Sequence, residues 1–149
     1  LAMYSTLLGQ PAPTPGMTGG PSANGTYNGQ PLVGTTKIAF FDLNAGTRME
    51  ILAGDPDQPS WWRDVYNKKG FEVHHMGYVV NEPIWPAVQR FQAAGLGDPV
   101  QWAHWGKVDQ PGSGCYVYMD SQLTLGVTVE ILANEADCDD LPAPPHSKG

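Results

Sequence analysis

The chain has no apolar run approaching the roughly 18 residues that a membrane-spanning helix needs, and its first residues lack the charged, apolar and small-residue zones of a secretory signal. No membrane partner is expected, and a cytoplasmic location is the default. Basic residues are scarce: 8 Lys and Arg stand against 15 Asp and Glu, for a net charge of -7 and a pI near 4.8. Nucleic-acid backbones are gripped by clustered Lys and Arg, so this balance argues against such a partner. Cysteine is almost missing. Cys115, in a strand-like stretch, and Cys138, in an acidic tail, have neither zinc-site spacing nor the density of a disulfide framework, and read as two unrelated thiols. What is present is ordinary for a soluble globular chain: 41% hydrophobic residues over 149 positions, enough for one domain or two small modules sharing a core.

Punctuation by Gly and Pro organises the chain. Residues 1–8, "LAMYSTLL", read as the end of an amphipathic helix stopped by Gly9 and Pro11. From Gly9 to Gly34 the composition turns to Gly, Pro, Thr, Ser and Asn without apolar periodicity, which predicts a long loop, with room for a short edge strand. "KIAFFD" at 37–42 and "TRMEILA" at 47–53 predict a hairpin turned by Asn44 and Gly46. "DQPSWWRDVYNKKG" at 57–70 predicts a connector helix in which Trp61 and Trp62 serve packing. A strand at 71–80, a helix at 83–97 and strands near 99–104, 114–120 and 126–133 follow, and the tail from 135 to 149 is expected to have little structure.

Two phrases recur: "MEILAG" at 49–54 and "VEILAN" at 129–134 place Glu130 80 residues after Glu50, while "LLGQPAP" at 7–13 and "GLGDPVQ" at 95–101 align at an offset of 88. The reading is a duplicated unit, with a first copy at 1–56, the connector at 57–70 and a second copy at 71–134. The second reads strand, helix, strand, strand, strand. The first reads helix, loop, strand, strand, and the counterpart of its opening strand falls before residue 1.

Each copy keeps a Glu inside an apolar strand. Alternation puts Thr128, Glu130 and Leu132 on one face and Val127, Val129 and Ile131 on the other, and the same holds for Glu50 between Met49 and Ile51. A carboxylate inside a sheet needs water, a basic side chain or a metal ion. Adjacency is expected to send His74 and His75 to opposite faces, so one of them joins the glutamates. One His and two Glu make a nitrogen and oxygen ligand set for a hard or borderline divalent ion.

The runs "KIAFFDLNAGTRMEIL", "PSWWRDVYNKKGFEVHHMGYVV" and "CYVYMDSQLTLGVTVEIL" together resemble the vicinal oxygen chelate superfamily, which includes glyoxalase I, methylmalonyl-CoA epimerase, extradiol dioxygenases and bleomycin and fosfomycin resistance proteins. The resemblance covers about residues 1–134. It implies an α+β fold of paired βαβββ modules forming a half-open mixed β-barrel, with the first module lacking its opening strand. It also implies one divalent ion (zinc, nickel, cobalt, manganese, magnesium or iron) held by His75, Glu50 and Glu130. The fourth ligand of that family, a His in the opening strand of the first module, has no counterpart in this sequence.

The activity so implied is that of a metal-dependent epimerase, isomerase or lyase: the ion stabilises an enolate-type intermediate of a small oxygenated substrate, and Glu50 or Glu130 takes the proton next to the carbonyl. Ring-cleaving dioxygenase chemistry is an alternative on the same scaffold. A metal-free protein that sequesters a drug-like molecule is another, because five Trp and six Tyr suit an aromatic pocket. His104, Trp102, Trp105 and Tyr118 are the candidates for lining the substrate pocket. Arg48 and Arg63 alone make a poor grip for the phosphates of coenzyme A. A homodimer is expected, because open sheet edges and an incomplete first copy invite a second chain.

Overall fold

The computed structural model describes residues 1–107 and 110–138. Within them the protein is a mixed α+β fold with a core that is mostly sheet. Four helices, α1 (Ala2–Leu8), α2 (Trp61–Lys69), α3 (Ile84–Ala93) and α4 (Gln122–Leu125), accompany two sheets, and neither sheet closes into a barrel.

The first sheet has three antiparallel strands: β1 (Gly16–Gly19), β4 (Thr35–Asp42) and β5 (Arg48–Gly54), in the order β1-β4-β5. The second has six, built from β2 (Thr26–Tyr27), β3 (Gln30–Pro31), β6 (His75–Val79), β7 (Pro99–Trp105), β8 (Gly114–Met119) and β9 (Thr128–Asn134). Their order is β3-β2-β7-β8-β9-β6, and only the β6–β9 pair is parallel. The hairpin and the connector helix appear where the sequence places them, and β6, α3, β7, β8 and β9 follow in the expected order, with β6 starting at His75 rather than residue 71 and the short α4, not predicted from the sequence, inserted before β9.

Local chemistry accounts for the ends. Ser60 caps α2 by accepting from the Arg63 N–H at 3.3 Å, and Gly70, at a φ of 77°, ends it. Helix α3 turns Ile84, Ala87 and Val88 onto the second sheet.

The stretch from Gly9 to Gly34 departs from expectation. It is not one loop with an edge strand: β1 joins the first sheet while β2 and β3 join the second, where Thr26 pairs with Trp102. This crossing depends on Gly25, since a Cβ there would lie 2.4 Å from the Ala103 Cβ and 2.5 Å from the Trp102 carbonyl oxygen. Strands of two to four residues are too short to carry a period-two pattern, and so the composition hid them.

Strand alternation gives the second sheet two different faces. On one, α3 covers Cys115, Val117, Met119, Val129, Ile131 and Ala133. On the other, Trp61, Trp62 and Val65 of α2 pack on Tyr116 and Tyr118.

The two cysteines are not unrelated. Cys115 and Cys138 form a disulfide, with Cα atoms 5.8 Å apart, that fastens the short turn Glu135–Asp137 to β8. Residues 135–138 are therefore not a loose tail; the rest of the expected tail, from 139, lies outside the described residues. Sequence spacing could not reveal the pair, because 23 residues separate the partners and the fold alone brings them together. Disulfides persist in oxidising compartments and are rare in the cytosol, so the bond does not favour the cytoplasmic default. No described helix is long and apolar enough to cross a membrane.

Closing a loop of this length restricts the unfolded chain by about 3 kcal/mol. The chain denatured without reductant is expected to show no free thiol, and Cys138→Ser to lower the free energy of unfolding by about 2–4 kcal/mol in urea titrations. Two titratable thiols in the untreated chain would refute the pairing.

Candidate metal centre

Glu50, His75 and Glu130 come together although they arise on three strands of two sheets. Glu50 lies mid-way along β5, opposite Phe40 of β4. Glu130 lies in β9, between the buried Val129 and Ile131, and its alternation turns it to the face that α2 covers. His75 opens β6 beside Thr128. Its Nε2 stands 3.1 Å from Glu50 Oε2 and 3.2 Å from Glu130 Oε2. The side chains of His75 and Glu130 are 8% and 7% exposed, whereas Glu50 keeps 24%. Two carboxylates thus meet one imidazole nitrogen in a largely dry setting, and Glu50 is the one that faces outward.

His74 does not go to the opposite face. Strand β6 starts only at His75, so His74 lies just ahead of the strand, where strand alternation does not apply. The two Nδ1 atoms lie 3.0 Å apart, and His74 Nε2 is 3.5 Å from the Trp61 carbonyl oxygen. Electrostatics sorts the roles. Burial works against charge on His75, but hydrogen bonds to Glu130 and Glu50 and the field of both carboxylates override it and push its pKa up to about 10. Burial and then the neighbouring His75 charge push His74 down to about 3, against the pull of the Trp61 carbonyl. Without metal, a protonated His75 donates Nε2–H to the glutamates and Nδ1–H to a neutral His74.

Aromatic side chains wall the centre. The Tyr118 ring lies 5.2 Å from the His75 ring and 5.5 Å from that of His74, and its hydroxyl accepts from Trp62 Nε1–H at 3.0 Å. Burial, followed by the Glu130 charge, raises the Tyr118 pKa well above 10, so the phenol stays neutral. Trp61 donates its indole N–H to Thr128 Oγ1 at 2.8 Å, and its backbone N–H to Gln101 Oε1 at 2.8 Å. These tryptophans do more than pack the connector: they lock α2 onto β7, β8 and β9, the last of which carries Glu130. Helical spacing showed that they face inward, but partners 67 and 56 residues away were beyond its reach.

Of the expected pocket residues, only Tyr118 lies beside the three ligands. Trp102 and His104 pair with Val117 and Cys115, which puts them on the apolar face away from Tyr116 and Tyr118. Trp105 and His104 border a cavity of about 90 Å³ with Met17, Thr18 and Gly19, and a second cavity of about 260 Å³ lies along Lys37, Ala53 and Asp55; none of the three ligands lines either. Trp102 and His104 turn away from these three residues because alternation along β7 sets their face, which the sequence alone did not reveal.

The donor set fits a divalent ion. Nitrogen and oxygen ligands at about 2.0–2.2 Å from one ion stand about 3.0–3.4 Å from each other when adjacent, and 3.1 and 3.2 Å match that spacing. All three ligand atoms lie within 4.8 Å of one another. His74 is placed as the outer partner that fixes a ligating histidine, taking the Nδ1–H of His75 so that Nε2 faces the glutamates. Gly77, paired with Glu130, gives that carboxylate and Leu132 room to pack: a Cβ there would sit 3.0 Å from Glu130 Oε2 and 2.9 Å from Leu132 Cδ1.

The pKa directions predict a maximum in metal-free stability. The raised pKa of His75 contributes stability that is complete below the ordinary value of 6.5 and is lost as pH rises towards about 10. The lowered pKa of His74 acts oppositely: the unfolded chain binds the proton first, so stability falls as pH drops from 6.5 towards about 3. In chelator, Tm is expected to peak near the ordinary histidine value, and His75→Gln to flatten the alkaline limb. An alkaline limb unchanged by that substitution would refute the protonated bridge.

No protein-family model matches the chain, and no curated protein is similar to it.

Proposed function

We propose that the protein is a divalent-metal-dependent enzyme of the vicinal oxygen chelate kind, an epimerase, isomerase or lyase acting on a small oxygenated substrate. The observation that carries this reading is the convergence of Glu50 and Glu130, matched residues of an internal repeat, on His75 Nε2 at 3.1 and 3.2 Å. Repeat symmetry supports a site shared between two modules. In this reading β6, α3, β7, β8 and β9 make one βαβββ module, β4 and β5 close the other, and the two curve into a half-open barrel.

A divalent ion bound there supplies Lewis acidity for negative charge developing on a substrate oxygen. The chain's own residues do the rest. Glu130, nearly enclosed, is suited to permanent ligation. Glu50, the more exposed carboxylate, is suited to taking a proton from the carbon beside the carbonyl and returning it. His74 holds the His75 ring, and the neutral Tyr118 and the tryptophans keep water from behind the ligands. The absence of a side chain at Gly77 leaves Glu130 free to take its place beside His75.

Protein purified without added metal, with its disulfide intact, is expected to carry about one divalent ion per chain by elemental analysis, and His75→Ala and Glu130→Ala to lose it. Solvent deuterium should then enter a small carbonyl substrate beside the carbonyl in the native protein and not in Glu50→Gln, with a loss of about 100-fold or more in exchange rate. Absence of an ion, with no uptake of manganese, cobalt, nickel or zinc, would leave the enzyme reading without a basis and favour a metal-free binder. Gly77→Val is expected to weaken metal binding about 10-fold or more while the chain still folds; unchanged affinity would show that the space beside Glu130 is not used.

A further inference from the structure

A second constellation of metal-ligand side chains lies on the other face of the six-stranded sheet. His104 of β7 is the register partner of Cys115 of β8, and the turn Glu135–Asp137 brings Glu135 and Cys138 against them. Ligand atoms of His104, Glu135 and Cys138 all lie within 4.8 Å of one another, and the Cys115 sulfur is bonded to that of Cys138. His104 Nδ1 lies 3.8 Å from Glu135 Oε1, too far for a hydrogen bond. Among the described residues, neither His104 Nδ1 nor Glu135 Oε2 has a hydrogen-bond partner, although both atoms are shielded from solvent. Unsatisfied groups of this kind are rare in folded proteins and ask for a reason.

We propose that His104, Glu135, Cys115 and Cys138 form a zinc-class metal site in the thiol state of the chain, and that the disulfide is its closed state. Two thiolates, an imidazole and a carboxylate are the donors a tetrahedral zinc site uses. With the disulfide formed, neither sulfur is a thiolate, and the imidazole and carboxylate are left without their ion. The interconversion balances with a dithiol reductant. Its two thiols pass two electrons and two protons to the disulfide, the S–S bond breaks, Cys115 and Cys138 become thiols, and the reductant becomes a disulfide; metal uptake then releases the thiol protons. Both cysteines are buried, at 0% and 2% exposure, so exchange needs the Glu135–Cys138 turn to lift from β8. That turn is held by one short 3₁₀ segment and the disulfide itself. The site is independent of Glu50, His75 and Glu130, which offer no sulfur.

Cobalt(II) separates the two centres, because only the second can give a sulfur-to-cobalt charge-transfer band. The full chain is titrated with cobalt before and after reduction by a phosphine under argon. The oxidised chain is expected to show no such band. The reduced chain should show one that saturates near one equivalent and bleaches on adding zinc. His104→Ala should weaken the reduced chain's binding about 10-fold or more, and Cys138→Ser should remove most of the band. If reduction unfolds the chain, zinc must restore its near-ultraviolet circular dichroism. A reduced chain that gives no band, a band unaltered by both substitutions, or an unfolded reduced chain that zinc fails to restore would each overturn the proposal.

Discussion

A carboxylate taken out of water must find a cation or a donor, and this protein takes two of them into the seam between its sheets. Glu50 belongs to the three-stranded sheet and Glu130 to the six-stranded one, yet both lean on the same nitrogen of His75. Burying one unpaired charge would cost several kcal/mol, and removing one member of a buried pair is worse than never having it. The shared partner therefore fixes how β5 faces β6 and β9. It also explains the surroundings: a strand β6 that starts late enough to leave His74 behind His75, a glycine where a side chain would strike Glu130, and tryptophans whose indoles brace β8 and the Glu130-bearing β9.

Strand alternation separates the chemistry of the six-stranded sheet. One face is aromatic and polar, with Tyr116, Tyr118, Gln101 and Thr128 linked through hydrogen bonds to each other or to α2, and Glu130 paired with His75. The opposite face is apolar, covered by α3 and closed at one end by the disulfide. A side chain that moved by one residue along β8 or β9 would change face and lose its role. His104 illustrates the rule: it lies one residue from Ala103, which packs with Tyr116, yet it pairs with Cys115 and clusters with Glu135 and Cys138.

The N-terminal third binds the two sheets into one body. Strand β1 adds to β4, then the chain crosses within a few residues so that β2 and β3 add to β7. Gly25 permits the close approach, and the buried Leu32 and Ala23 fill the space around α2. These short strands contribute little hydrogen bonding, and their placement depends on the backbone edges offered by longer strands.

Much of the fold was legible because its signals are local. Gly and Pro punctuation set the helix ends, alternation marked β4, β5 and β9, and the repeated Glu within an apolar strand marked Glu50 and Glu130 as residues in need of a partner. What sequence could not supply depends on distance through space. The direction of His74 was set by where β6 begins, the face of His104 and Trp102 by which side of the sheet α2 covers, and the strands within 16–31 by edges formed elsewhere. The disulfide is the clearest case, since two cysteines 23 residues apart become partners only when β8 and the turn after β9 are stacked. Sequence by itself determined the order of the elements and the residues that could not stay unpartnered, because propensity, alternation and desolvation act within a few residues. Tertiary structure alone decided which of them meet, because pairing depends on sheet register and on which face each strand turns to the core.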